Sequence, residues 1–198
     1  MSQGTVHHIA ESGFQTAKLY DQVRPSYSEE AVKFLIGKLG IASQNASSNQ
    51  PVRILELGAG TGKFTDILHR VLRDGDVEII GSEPLLSMRE VFEEKFPSIE
   101  MKDFPAENIG LPNNSVHAVI AAQCFHWFAN EKSLSEIQRV LVPGGKLGLV
   151  WNLPDYSVPW IKEICDDVIF PLYAQSNTPN VYGGEWKRMV IASDKFGH

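Results

Sequence analysis

Cysteine is scarce. The 198-residue chain has two, Cys124 and Cys165, too few for a disulfide framework and without companions at metal-ligand spacing. Both read as buried or neutral thiols of a reducing compartment. Basic charge is also in deficit, with 18 Lys and Arg against 24 Asp and Glu and a net charge of -6. Surfaces that bind nucleic acid are usually basic, so this balance argues against such a partner. No apolar run approaches the roughly 20 residues of a membrane-spanning helix. The beginning, "MSQGTVHHIAESG", lacks the basic-then-apolar pattern of a leader. His7 and His8 have no metal-ligand spacing around them. No internal repeat is visible. What these absences leave is a single globular domain, expected in the cytoplasm, with no metal and no membrane partner. A hydrophobic share of 43% with 21% charged residues suits that class.

What is present is an alternation. A short helix is expected around residues 14–22. Ser26 is expected to cap the next helix, with Glu29 three residues on completing a capping box. Ala31, Val32, Leu35, Ile36 and Leu39 then recur at helical spacing. The small polar stretch 42–50 reads as a flexible loop. "VRILEL" (52–57) is a nearly continuous apolar run, as in a strand buried on both faces. Phe64, Ile67, Leu68, Val71 and Leu72 mark one face of a helix. "DVEIIGSE" reads as a second strand, entered through a turn at Asp74-Gly75-Asp76. Pro84 suits the first turn of a helix reaching about Phe96, where Pro97 blocks continuation. "IEMKD" is a weak third strand and "SVHAVIAA" a fourth. A helix with Leu134, Ile137, Val140 and Leu141 follows. "VPGG" then turns the chain into a fifth strand, "KLGLVWN". This order predicts an α/β fold, a doubly wound parallel sheet with helices on both faces.

Ligands of such sheets sit beyond the carboxyl ends of the strands. The loop after the first strand, "ELGAGTG", is therefore the expected site. Glycine there removes the Cβ that would hold a ligand off. A phosphate-binding P-loop is disfavoured. Leu57 stands where its first Gly belongs, and Phe64 replaces its magnesium-binding hydroxyl. The dinucleotide fingerprint of an NAD-dependent dehydrogenase is disfavoured too, because Lys63 occupies its final Gly position.

"ELGAGTG" instead resembles motif I of the class I S-adenosylmethionine-dependent methyltransferases. Companions in chain order strengthen the resemblance: Glu83 closing the second strand, "AENIGLPNNSVHAVIAAQCFHWF", and "RVLVPGGKLGLV". "YDQVRP" (20–25) is similar to a Tyr-x-x-x-Arg-Pro segment of the trans-aconitate and ubiquinone-biosynthesis relatives, where it lids the cofactor. The resemblance implies a Rossmann-like core at 51–152. It implies a helical lid and linker at 1–50 and a helical segment at 153–198. It also implies S-adenosyl-L-methionine as cofactor, with S-adenosyl-L-homocysteine as product.

By this resemblance the cofactor would meet Glu56, Gly58, Ala59, Gly60, Thr61 and Gly62 of the loop. Glu83 and Pro84 would lie at the ribose, and Ala106 and Glu107 at the adenine. Gln123 and Phe125 would follow the fourth strand, and Tyr20 and Arg24 would belong to the lid. "FHWF" (125–128) reads either as a wall for cofactor and acceptor or as ordinary packing, and Trp151 and Asn152 as a pocket border. His126 is the candidate general base. Two departures stand out. His117 replaces the Asp that usually starts the fourth strand, a change expected to be structural. No hairpin follows the fifth strand, so the sheet is expected to stop before the family's last two strands. The activity implied is in-line methylation of a small molecule at oxygen or carbon. The missing aminomethylation signature after the fourth strand argues against a nucleic-acid base. The alternative is a non-catalytic module that binds the cofactor or a partner.

Overall fold

The computed structural model describes residues 16–41, 51–176 and 178–196. Among these, five strands form one parallel sheet in the order β3-β2-β1-β4-β5. The strands are β1 (Val52–Leu57), β2 (Val77–Ser82), β3 (Glu100–Lys102), β4 (Val116–Ala122) and β5 (Leu141–Val150). The helices are α1 (Ala17–Val23), α2 (Glu29–Leu39), α3 (Lys63–Leu72), α4 (Leu86–Lys95), α5 (Glu131–Val140), α6 (Pro159–Ile164), α7 (Phe170–Ser176) and α8 (Glu185–Ala192). One π-helical stretch, Cys165–Ile169, joins α6 to α7. The expected strand-helix alternation is thus observed.

β1 is central and buried at every position except Arg53. Its side chains alternate between two cores, as the two-residue period of a strand requires. Val52 and Ile54 join Val32, Ile36 and Leu39 of α2 and Phe64, Ile67 and Leu68 of α3. Leu55 and Leu57 join Leu134, Ile137 and Val140 of α5, with Trp186 and Met189 of α8 packed alongside. Each such side chain, fully buried, contributes roughly 1.5–3 kcal/mol against the entropy of ordering the chain.

Two local expectations are corrected. The cap of α2 is Ser28, whose hydroxyl accepts from Ala31 N at 3.2 Å. Ser26 instead offers its carbonyl to Asn152 Nδ2. Leu141 leaves α5 and opens β5, because its backbone is already extended. Its pairing with Val116 is followed by a jump to Ala118 opposite Lys146, so residues 142–145 loop out and "VPGG" sits inside the β5 span. His117, on the other side of this irregularity, accepts from Arg53 N through Nδ1 at 3.0 Å. It closes the open end of the β1–β4 ladder, which is a structural task. The helix expected at 14–22 is seen as Ala17–Val23; residue 14 and the 42–50 loop lie outside the described residues.

Strand order reverses between β1 and β4. The connections from their carboxyl ends run in opposite directions and leave a crevice there. The glycine loop after β1 and residues 123–128 after β4 form its two lips.

Candidate functional site

The chain leaves β1 through three glycines with left-handed backbone. Two of them show different physical needs. A Cβ on Gly60 would meet nothing within 4 Å, so the missing side chain keeps space open. A Cβ on Gly62 would lie 2.4 Å from the Phe96 ring, so its absence lets the start of α3 pack on α4. Ala59 N donates to Ser82 O at 3.0 Å, tying the loop to the end of β2.

Glu83 follows β2 and turns its carboxylate back to this loop. Oε2 accepts from Gly60 N at 3.0 Å and Oε1 from Leu85 N at 2.9 Å. Burial raises its pKa, and the two backbone donors and Arg89 counter only part of that. A carboxylate has about four acceptor positions, so roughly half remain for a ligand. Glu83 lines a cavity of about 140 Å³ with Gly58, Gly60, Pro84, Ala106, Glu107 and Gln123. Glu107 Oε1 accepts from Asn130 Nδ2 at 3.0 Å, which steadies that wall.

A second cavity of about 50 Å³ lies across the loop, lined by Tyr20, Arg24, Tyr27, Glu56, Ala59 and Thr61, among others. Glu56 is only 1% exposed, and its carboxylate accepts from Thr65 Oγ1 at 2.7 Å. Burial pushes its carboxyl up to about 8. A cation beside it would favour the ionised form. The Arg24 guanidinium lies 5.5 Å from the Tyr20 ring centroid, where ring and cation attract.

α1 is fastened over these cavities by contacts absent from the sequence reading. Asp21 Oδ1 accepts from Thr61 Oγ1 at 2.6 Å and from Lys95 Nζ at 3.0 Å. Lys95 also donates to Thr61 O at 2.9 Å. Partial burial opposes the Asp21 charge, but Thr61 and Lys95 outweigh it and hold the pKa low. Asp21 lies inside "YDQVRP" and Thr61 inside the glycine loop, which was a usable signal. Lys95 carried none.

Two residues of the lip after β4 stand away from these two cavities. Phe125 is fully buried in the core under the lip, edge-on to Phe128 at 5.5 Å. It does not line either cavity; Trp127 and Phe128 line the larger one instead. A fully apolar ring gains most from the core, and Phe125 is the position that points there. His126 is likewise absent from both. It faces a third cavity of about 540 Å³, where Tyr20, Arg24, Gln123, Trp151 and Asn152 also stand. Gln123 and Tyr20 border all three cavities. Gln123 has φ of 62°, a left-handed conformation that costs a non-glycine residue about 1–2 kcal/mol. Cys124, expected as a buried or neutral thiol, also lines the larger cavity. Its thiol donates to Leu57 O at 3.0 Å, and burial, then Glu83 and Glu56, raise its pKa. No metal-binding cluster occurs among the described residues, nor any helix long and apolar enough to cross a membrane.

Residues 55–149 match a family model described as a methyltransferase domain. An uncharacterized methyltransferase of Schizosaccharomyces pombe is 41% identical over 144 residues, covering 73% of this chain and 53% of the relative. Demethylmenaquinone methyltransferase of Deinococcus radiodurans is 32% identical over 145 residues, covering 71% of this chain and 57% of that protein. The chain therefore spans about half the length of the curated relatives it matches. Among solved structures, a proposed S-adenosyl-L-methionine-dependent methyltransferase from Methanococcus maripaludis superposes with a TM-score of 0.57. It is 16% identical and covers 97% of this chain and 87% of that one, a likeness of fold.

Proposed function

The chain belongs to the class I S-adenosylmethionine-dependent methyltransferases, and from that premise we propose that it binds S-adenosylmethionine over the glycine loop and methylates a small molecule. The observation that carries this reading is the Glu83 carboxylate. It is buried, held by Gly60 N and Leu85 N, and still has acceptor capacity at the 140 Å³ cavity. Two ribose hydroxyls would satisfy that capacity. Ala106, Glu107 and Phe128 would flank the base, and Gly60 leaves room for close approach. Glu56 would take the methionyl ammonium and Arg24 the methionyl carboxylate.

When bound, the cofactor supplies a methyl group already activated by its sulfonium. The protein then chiefly has to align two reactants and exclude water, which can supply roughly 7–11 kcal/mol of a barrier. Tyr20 and Gln123, shared by the three cavities, stand where donor and acceptor would meet. The Deinococcus relative's named substrate, demethylmenaquinone, is a small molecule, and this favours the same class of acceptor here. Binding without turnover would leave the chain as a cofactor-binding module.

Calorimetry with S-adenosylmethionine tests the reading, followed by transfer of a labelled methyl group to a panel of small acids and phenols. Glu83→Ala is expected to weaken cofactor binding by about 1–3 kcal/mol, since hydroxyl donors lose a charged partner. Unchanged affinity would remove Glu83 from the site.

A further inference from the structure

The cavity of about 540 Å³ beside the cofactor cleft has an unusual wall. Rings of Tyr20, His126, Trp127, Trp151, Tyr173 and Tyr182 line it, as do Pro25, Leu153, Pro154 and Val181. Gln123, Asn152 and Asn180 supply amides. Among the described residues Arg24 is its one charged side chain, and none of them brings a carboxylate to it. Such a wall offers stacking faces to a flat ligand.

His126 is fixed within this wall. Trp151 Nε1 donates to His126 Nδ1 at 3.2 Å. Trp151 is in turn backed by Trp186 of α8, with ring centroids 4.3 Å apart, and Trp186 Nε1 is anchored on Val181 O at 3.0 Å. An indole N–H can only donate, so Nδ1 must present a lone pair and the proton of the neutral ring sits on Nε2. Burial, with Arg24 as the lesser cause, lowers the imidazole pKa to about 4, so the ring stays neutral near pH 7. Its remaining polar atom is a donor N–H. The lone pair that a general base would use is already taken.

We infer that this cavity is the acceptor chamber for a planar conjugated carboxylate or an equally acidic enol, with His126 Nε2–H donating to the oxygen that is not methylated. This rests on the methyl-transfer reading above. A chamber in which none of the described residues offers a free base suits an acceptor that arrives ionised. Its nucleophilic oxygen gives an electron pair to the methyl carbon as the carbon–sulfur bond breaks, and that bond's pair stays on sulfur. No proton has to be removed. The charge drawn from the acceptor is shared by two conjugated oxygens, and His126 holds the second one in place.

The test uses the chain loaded with S-adenosyl-L-homocysteine and measures binding of naphthoate, its fully saturated counterpart, and neutral naphthamide by calorimetry. Naphthoate is expected to bind about tenfold tighter than either of the others, from ring stacking and from charge respectively. His126→Phe is expected to lose about tenfold for naphthoate, and His126→Gln, which keeps a donor N–H, to retain most of it. Homocysteine-compound affinity should be unchanged in both variants, which also reports that they fold. If that compound binds normally but naphthoate shows no preference, the acceptor class is wrong while the cofactor reading stands. If His126→Gln loses as much as His126→Phe, the donor role is wrong. If the homocysteine compound does not bind the natural chain, both readings fall together.

Discussion

Gly60 and Gly62 sit two residues apart on one loop and answer to different forces. Both have left-handed backbone, with φ of 57° and 82°. Only at Gly62 is the missing Cβ already replaced by protein, the Phe92 and Phe96 rings. Gly60→Ala should cost about 1–2 kcal/mol of stability from backbone strain alone. Its larger effect should be on S-adenosylmethionine affinity, because the new methyl occupies open cleft space. Gly62→Ala should add an overpacking cost of roughly 1–3 kcal/mol to a similar strain and unfold at distinctly lower denaturant. Denaturant unfolding and calorimetry on the two variants would separate these roles. Equal affinity losses after correction for unfolding would mean that Gly60 does not face the ligand. The same distinction shows what could be read in advance. The glycine pattern and Glu83 were legible because their chemistry is local and their spacing specific. Which glycine packs and which one opens space depends on Phe92 and Phe96, and no spacing rule brings those rings to Gly62.

Among the elements, β1, β2, β4 and α3 were legible from periodicity because each buries a regular face. The starts of α2 and β5 were not. Ser26 and Ser28 are equally good capping residues by type. The choice went to Ser28 because Tyr27 is drawn in against Phe64, edge-on at 5.1 Å, and Ser26 is left outside the first turn. α1 is a harder case. It has seven residues, too few to be stable alone, and exposes Leu19 and Val23. Its docking rests on Ala17 packed near Met88 and Val91 and on the Asp21–Thr61–Lys95 contacts. Lys95 lies on α4, far along the chain, so nothing in the local sequence announces the contact. Hydrogen bonds that involve a charged group are worth about 1.5–3 kcal/mol, and the apolar contacts of α1 are few. Asp21→Ala should therefore release α1 while the sheet stays folded. Amide exchange across residues 17–23 should speed up by about tenfold or more, with β1 and β4 amides unaffected. Cofactor affinity should fall with it, because Tyr20 and Arg24 ride on this segment. Unchanged exchange in α1 would show that the apolar contacts suffice.

For the whole molecule the buried site groups set a pH profile with two opposing slopes. Glu56 is raised from 4.5 to about 8. A carboxyl raised in the folded state contributes stability that is full below pH 4.5 and is withdrawn as pH climbs to about 8. Glu83, raised by the same burial, acts in the same sense. His126 runs the other way. It is lowered from 6.5 to about 4, so its contribution is full above pH 6.5 and is lost as pH falls toward 4. Between pH 4.5 and 6.5 the slopes of Glu56 and His126 cancel. Above 6.5 only the carboxyl slopes remain, each at about 1.4 kcal/mol per unit of pH at most. The ligand-free chain should thus lose stability gently across the lower interval, through Glu83, and more steeply from there up to about pH 8. Glu56→Gln should remove its share of that decline and, with the offsetting slope gone, expose a rise in stability from pH 4.5 to 6.5 that belongs to His126. A cation held beside Glu56 reverses the preference, so S-adenosylmethionine binding at pH 7 should expel a proton. Calorimetry in buffers of different ionisation enthalpy reads that proton directly, and Glu56→Gln should abolish it. A melting temperature that stays level up to pH 8, together with buffer-independent binding heat, would mean that Glu56 is already ionised in the folded chain.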